Sequence, residues 1–259
     1  MRFAWGVTIA ALLAIASPAR ADDTKPSYRT IIDRADLERA SIGGQRLRVY
    51  VSGLALQGQI MDVSDPKSLK LFIGSAEKKV PYTLGTYAST TSDTAVVICI
   101  QASQPFADVL RAISDAIDTT LLADLNEHTQ VAILMYGDTV SAGKLASAKA
   151  TRGKLSVITT DASSTEPMLL DGLDRALSML KKVKSDPAGR AYRKMIVVIG
   201  DGRDLANDHE RVTKTGKRAL KDGVRIHSLA YSPNDARRTL LVLGELSKQS
   251  LGTFRWICG

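Results

Sequence analysis

Three short polar stretches stand at the borders of apolar runs: Gln101-Ala102-Ser103 after TAVVICI, Ser163-Ser164-Thr165 ahead of a helical pattern, and Asp201-Gly202 after KMIVVIG. They offer an amide, several hydroxyls and one carboxylate, which is a vocabulary for binding and hydrogen bonding. Catalysis asks for more. His128, His209 and His227 fall in no nucleophile or metal spacing, and no phosphate-cradling glycine loop occurs. VIGDGRD resembles the Gly-Asp-Ser start of one esterase class, with Asn207-Asp208-His209 following, but Gly202 stands where the nucleophile belongs. No acid, base and nucleophile set results, so the chain reads as a non-enzyme. Each polar group also has a local use: Asp201-Gly202 as a tight turn, Thr165 as a helix N-cap, and Ser103 as the N-cap of a helix opened by Pro105.

The elements that must position these groups are legible in the hydrophobic pattern. From Asp93 onward β-type and α-type segments alternate, which predicts an α/β fold: an open, mostly parallel sheet of Rossmann type with helices on both faces. TAVVICI (94–100) and KMIVVIG (194–200) are central strands by their unbroken apolar character. QVAILMYG (130–137), KLSVITT (154–160), VRIHSLAY (224–231) and TFRWIC (253–258) supply the others. Phe106, Val109, Leu110, Ile113, Ala116 and Ile117 repeat with helical spacing, as do Leu169, Leu173, Ala176, Leu177 and Leu180. Asn207 or Asp208 caps a third helix that stops at Gly223, and Ser232 to Asp235 opens a fourth. In such a sheet, loops beyond the carboxyl ends of the strands form the binding crevice, so the three polar stretches converge there.

The remainder divides by composition. Residues 1–21, MRFAWGVTIAALLAIASPARA, have an early Arg2, a short apolar centre and small residues at Ala19 and Ala21, the pattern of a cleaved secretory signal. The chain is therefore expected to be exported, to the periplasm or beyond the cell. Residues 22–46 read as a polar entry with a short helix over RTIIDRADLERA (29–40), and 47–87 as a small antiparallel β unit. No later segment is apolar for long enough to cross a membrane. The formal charge of +8 drops by two with the leader, which carries Arg2 and Arg20 and no acid. That surplus favours an acidic partner.

On the strand-end residues, 93–258 resembles a von Willebrand factor A domain. The family's first strand ends in Asp-x-Ser-x-Ser, a later loop supplies Thr, and a further strand ends in Asp-Gly; together they hold a divalent ion, generally Mg²⁺, completed by an acidic group of a protein partner. Here the first motif reads Gln101-Ala102-Ser103-Gln104-Pro105, Thr165 matches the Thr and Asp201 the second Asp. The resemblance thus implies a degenerate metal site on Ser103, Thr165 and Asp201. Mg²⁺ demands near-octahedral oxygen coordination, Gln101 brings no charge and Pro105 no side-chain oxygen, so the expectation is no cofactor, or weakly bound Mg²⁺. The resemblance also sets two strands between those of Cys99 and Cys258. At about 4.8 Å per strand the two lie roughly 14 Å apart, beyond the ~7 Å a disulfide spans. Cys99 is then a buried free thiol, and Phe254 and Trp256 pack on an edge strand.

Arg211, Lys214, Lys217, Arg218 and Lys221 recur at helical spacing as one basic stripe. It is either an anionic docking face, for lipid head groups, an acidic polymer or an acidic protein, or a solvated outer helix face. It lacks the interleaved aromatics of a nucleic-acid surface. The combined expectation is an exported protein-binding module for adhesion or complex assembly; the alternative is a structural scaffold of a bacterial-type envelope complex with no ligand site.

Overall fold

The computed structural model describes residues 28–39, 45–55, 72–73, 76–77, 93–125, 128–154, 165–184, 192–232 and 237–257. The chain divides into two compact units between Thr91 and Ser92. In the first, β1 (Tyr28–Arg39) and β2 (Gln45–Ala55) form an antiparallel hairpin, and β3 (Phe72–Ile73) pairs with β4 (Ala76–Glu77). Antiparallel pairing thus begins at residue 28, earlier than the expected 47, and most of the expected 47–87 unit lies outside the described residues. The helix expected over 29–40 is a strand. Its register slips between Ile32 and Arg34, and this bulge breaks the two-residue alternation, leaving Ile31, Ile32 and Ala35 at spacings that mimic a helix.

The second unit is the expected α/β fold. Its strands are β5 (Thr94–Gln101), β6 (Gln130–Tyr136), β7 (Val140–Ala142), β8 (Ala146–Ser147), β9 (Arg193–Gly200), β10 (Val224–Tyr231) and β11 (Phe254–Ile257). They run in the order β11-β10-β9-β5-β6-β7, with β8 also on β6. The five strands from β11 to β6 are mutually parallel, while β7 and β8 pair antiparallel with β6. Residues 155–160, the expected KLSVITT strand, lie outside the described residues, apart from Lys154.

Among the described residues six α-helices accompany them: α1 (Ala107–Ala116), α2 (Leu122–Asp124), α3 (Ala148–Thr151), α4 (Leu169–Lys181), α5 (His209–Lys221) and α6 (Arg237–Gln249). Alternate residues of β5 face opposite ways, as a strand's period of two requires. Val96, Ile98 and Ile100 pack with Leu110 of α1, Ile117 and Leu122. Val97 and Cys99 pack with Leu173 and Leu177 of α4, Val212 of α5 and Leu243 of α6. The sheet is therefore buried on both faces, which explains why β5 reads as an unbroken apolar run. Asp208 caps α5 through Oδ1, which accepts from the Arg211 N–H at 2.9 Å, and Gly223, at φ +68°, follows its end. No helix of the described residues is long and apolar enough to cross a membrane.

Candidate functional site

The chain leaves β5 for β6 on one side and returns to β9 on the other, so β5 and β9 are neighbours at the point where strand order reverses. Crevices form at such points, beyond the carboxyl ends. Gln101 ends β5, Asp201 follows β9, and Tyr136 ends β6. The turn after β5 is held by the Ala102 N–H donating to the Tyr136 carbonyl at 2.8 Å, and by the Phe106 ring set edge-on against Tyr231 at 5.7 Å.

At the tip, the polar groups satisfy one another. Gln101 is fully buried; its Oε1 accepts from the Asp201 N–H at 2.9 Å and its Nε2 donates to the Ser103 hydroxyl at 2.8 Å. One neutral amide thereby ties the end of β5 to the end of β9. Ser103 stands at the N-cap position of the turn Gln104–Phe106, but its hydroxyl makes no cap bond there. Instead of capping, the hydroxyl accepts from the Gln101 amide.

Asp201 is 3% exposed, and a carboxylate so buried needs a partner. Arg203 provides it twice: its N–H donates to Oδ1 at 3.0 Å and its Nε–H to Oδ2 at 2.7 Å. The loop returns on itself because Gly202 sits at φ +78°, where a Cβ would run into the Thr239 carbonyl. Arg203 Nη2 is buried with no hydrogen-bond partner. Beneath the tip, Tyr136 is fully buried, and burial, then the negative charge of Asp201, push its phenol well above the usual range.

Thr165 is exposed and does not cap a helix. α4 starts at Leu169, and the Leu170 N–H donates instead to Asp204 Oδ1 at 2.8 Å. The other Asp204 oxygen accepts from the Ala206 N–H at 3.1 Å, and the Leu205 N–H reaches the Pro167 carbonyl at 2.9 Å. Of the expected trio, Ser103 and Asp201 come together through Gln101, and Thr165 stays outside their hydrogen-bonded network. Ser163 and Ser164 lie outside the described residues. Arg203 and Asp204 were missed by sequence reasoning, although both stand within VVIGDGRD, where a basic residue two places past a strand-end Asp was the available signal.

The basic stripe is largely paired. Arg211 bonds Asp171 and, at 2.8 Å, Asp174. Arg218 reaches Asp174 at 2.8 Å and Asp222 at 3.9 Å, and Lys214 meets Glu210 at 2.7 Å. The two arginines therefore fasten α5 to α4, while Lys217 and Lys221 are exposed on the outer side. Arg237 of α6 stacks over Trp256 at 5.3 Å.

No protein-family model matches the sequence, and the search of curated proteins finds no match. Solved structures do resemble it. Proximal thread matrix protein 1 from the mussel byssus superposes with a TM-score of 0.50 at 16% identity, over 64% of this chain and 42% of that one. The VWA domain of SpRpn10 gives 0.48 at 16% identity, over 64% and 88%. BatB from Bacteroides thetaiotaomicron gives 0.46 at 15% identity, over 64% and 91%. The fold is thus like that of the byssus protein, an open, mostly parallel α/β sheet of the kind that the resemblance to the von Willebrand factor A type implied. The divalent ion that this type implies does not suit the donors present. Both amide atoms of Gln101 are engaged, both oxygens of Asp201 are held by Arg203, and Pro105 has no side-chain oxygen. A guanidinium already lies against the sole carboxylate, where it would repel a dication.

Proposed function

We propose that this chain is an exported, non-enzymatic protein-binding module of the complex-assembly kind, and that it engages its partner without a divalent ion. The binding role is supported by the resemblance of residues 93–258 to von Willebrand factor A domains, whose strand-end site is completed by an acidic group of a protein partner. One observation carries the ion-independent part: the closed network of Gln101, Ser103, Asp201 and Arg203, which spends at the strand ends the oxygens that an ion would use. Export rests on the leader pattern of residues 1–21. The scaffold reading draws on the same network, because a tip fixed by internal hydrogen bonds suits a standing structural contact better than a reversible ion-bridged one.

The test is affinity capture of the tagged full chain from its source cells, with EDTA or with millimolar Mg²⁺, together with N-terminal sequencing. The expected result is a mature chain beginning after Ala21 in the exported fraction, retaining the same protein partners in both buffers. Retention lost in EDTA would overturn ion independence. An uncleaved cytoplasmic chain would overturn export, and absence of any partner above the untagged control would overturn the binding role.

A further inference from the structure

We propose that Arg203 is the resident cation of the strand-end site and that Gln101 is its matched neutral partner, the two together taking over the charge balance and the cross-linking that a bound ion would supply. The inference rests on the ion-independent reading above and extends it to particular residues. Asp201 brings one buried negative charge to the tip, and Arg203 brings one positive charge from two residues further along the chain. A buried carboxylate is costly until paired and hydrogen-bonded, and the Arg203 N–H and Nε–H supply both. A carboxylate at position 101 would add a second negative charge that one guanidinium cannot balance. The amide adds none, and it makes a bond with each end: Oε1 receives the Asp201 N–H and Nε2 reaches Ser103. Asp204 keeps its own negative charge, which is also felt at Tyr136, but its two oxygens serve the start of α4 and the Ala206 N–H. Gly202 makes the arrangement sterically available, since its positive φ turns residue 203 back over residue 201.

Ion exclusion is then a property of two side chains and therefore reversible by substitution. Thermal unfolding of the full chain would be followed with EDTA and with millimolar Mn²⁺ for the native sequence, Arg203→Ala, Arg203→Lys, and Gln101→Asp with Arg203→Ala. The native protein and Arg203→Lys should melt at the same temperature in both conditions. Arg203→Ala should melt lower by roughly 5 °C and regain part of that loss with Mn²⁺. The double variant should show a larger, saturable rise, which a further Asp201→Ala abolishes. Should the double variant fail to fold, the single Arg203→Ala comparison decides. Native protein stabilised saturably by Mn²⁺, or Arg203→Ala melting like the native chain, would overturn the proposal, as would an Arg203→Ala variant indifferent to Mn²⁺. These melts need no partner, so a failed capture experiment would remove the binding role and leave this inference standing.

Discussion

Gln101 shows how one side chain answers two demands at a buried strand end. Its amide satisfies an N–H and a hydroxyl that burial would otherwise leave costly. Replacing it with Leu keeps the bulk and strands both groups, so urea denaturation should show a loss of about 1–3 kcal/mol. A loss within error of zero would mean that water satisfies them equally well. Cys99 offers a second test. It is a free, fully buried thiol, as expected, and burial pushes its proton affinity up. The unfolded chain therefore releases a proton that the folded chain keeps. Stability is complete below the unfolded thiol range and declines as pH rises past about 8.5. Tyr136, shifted in the same direction, adds its share above about 10. The denaturation midpoint of Cys99→Ala should fall less steeply between about pH 8.5 and 10 than that of the native chain; parallel slopes would remove Cys99 from the account. Ser103 and Asp201 were legible as strand-end groups because they border apolar runs. Their bonding was not, since it depends on which side chains the fold brings across a hundred residues of sequence, as for Gln101 and Asp201.

Among elements, the sequence pattern was most informative where burial is one-sided or complete. The leucines of α4 and the apolar run of β5 follow directly from the faces they bury. The pattern misled at β1, where a bulge disguised a strand; on α5 it pointed to a stripe whose Lys214, Lys217, Arg218 and Lys221 are indeed exposed, but it did not show the ion pairs. Arg211 and Arg218 instead reach Asp171 and Asp174 on α4, some forty residues earlier, which helical spacing within α5 alone does not reveal. Asp174→Ala removes a partner from both arginines. It should cost about 0.5–1 kcal/mol at low salt, and the deficit should shrink in concentrated NaCl. A deficit indifferent to salt would point to packing rather than charge. The turn after β9 is the more sensitive element. Gly202→Ala combines a left-handed backbone with a clash against the Thr239 carbonyl, whereas Gly153→Ala at φ +73° meets nothing within 4 Å. The second should cost about 1 kcal/mol and the first about 3 kcal/mol or more. Equal losses would mean that the loop moves freely away from α6.

At the scale of the molecule, the strand order follows the expectation drawn from the resemblance. Two strands, β9 and β10, separate β5 from β11, and Phe254 and Trp256 lie on the edge. The same topology joins the ends of β5 and β9 at the reversal point, so the meeting of Gln101, Ser103 and Asp201 there was legible in the sequence. Its chemical state was not, because the closing contact depends on the backbone angle of Gly202 and the reach of Arg203, neither of which a motif comparison weighs. The Asp201–Arg203 pair means that this tip carries its own cation. Calorimetric titration of the native chain with Mg²⁺ and Mn²⁺, beside Asp201→Ala, tests it most directly. No saturable heat is expected from either protein at millimolar ion; saturable uptake by the native chain that disappears in Asp201→Ala would mean that the site still takes an ion.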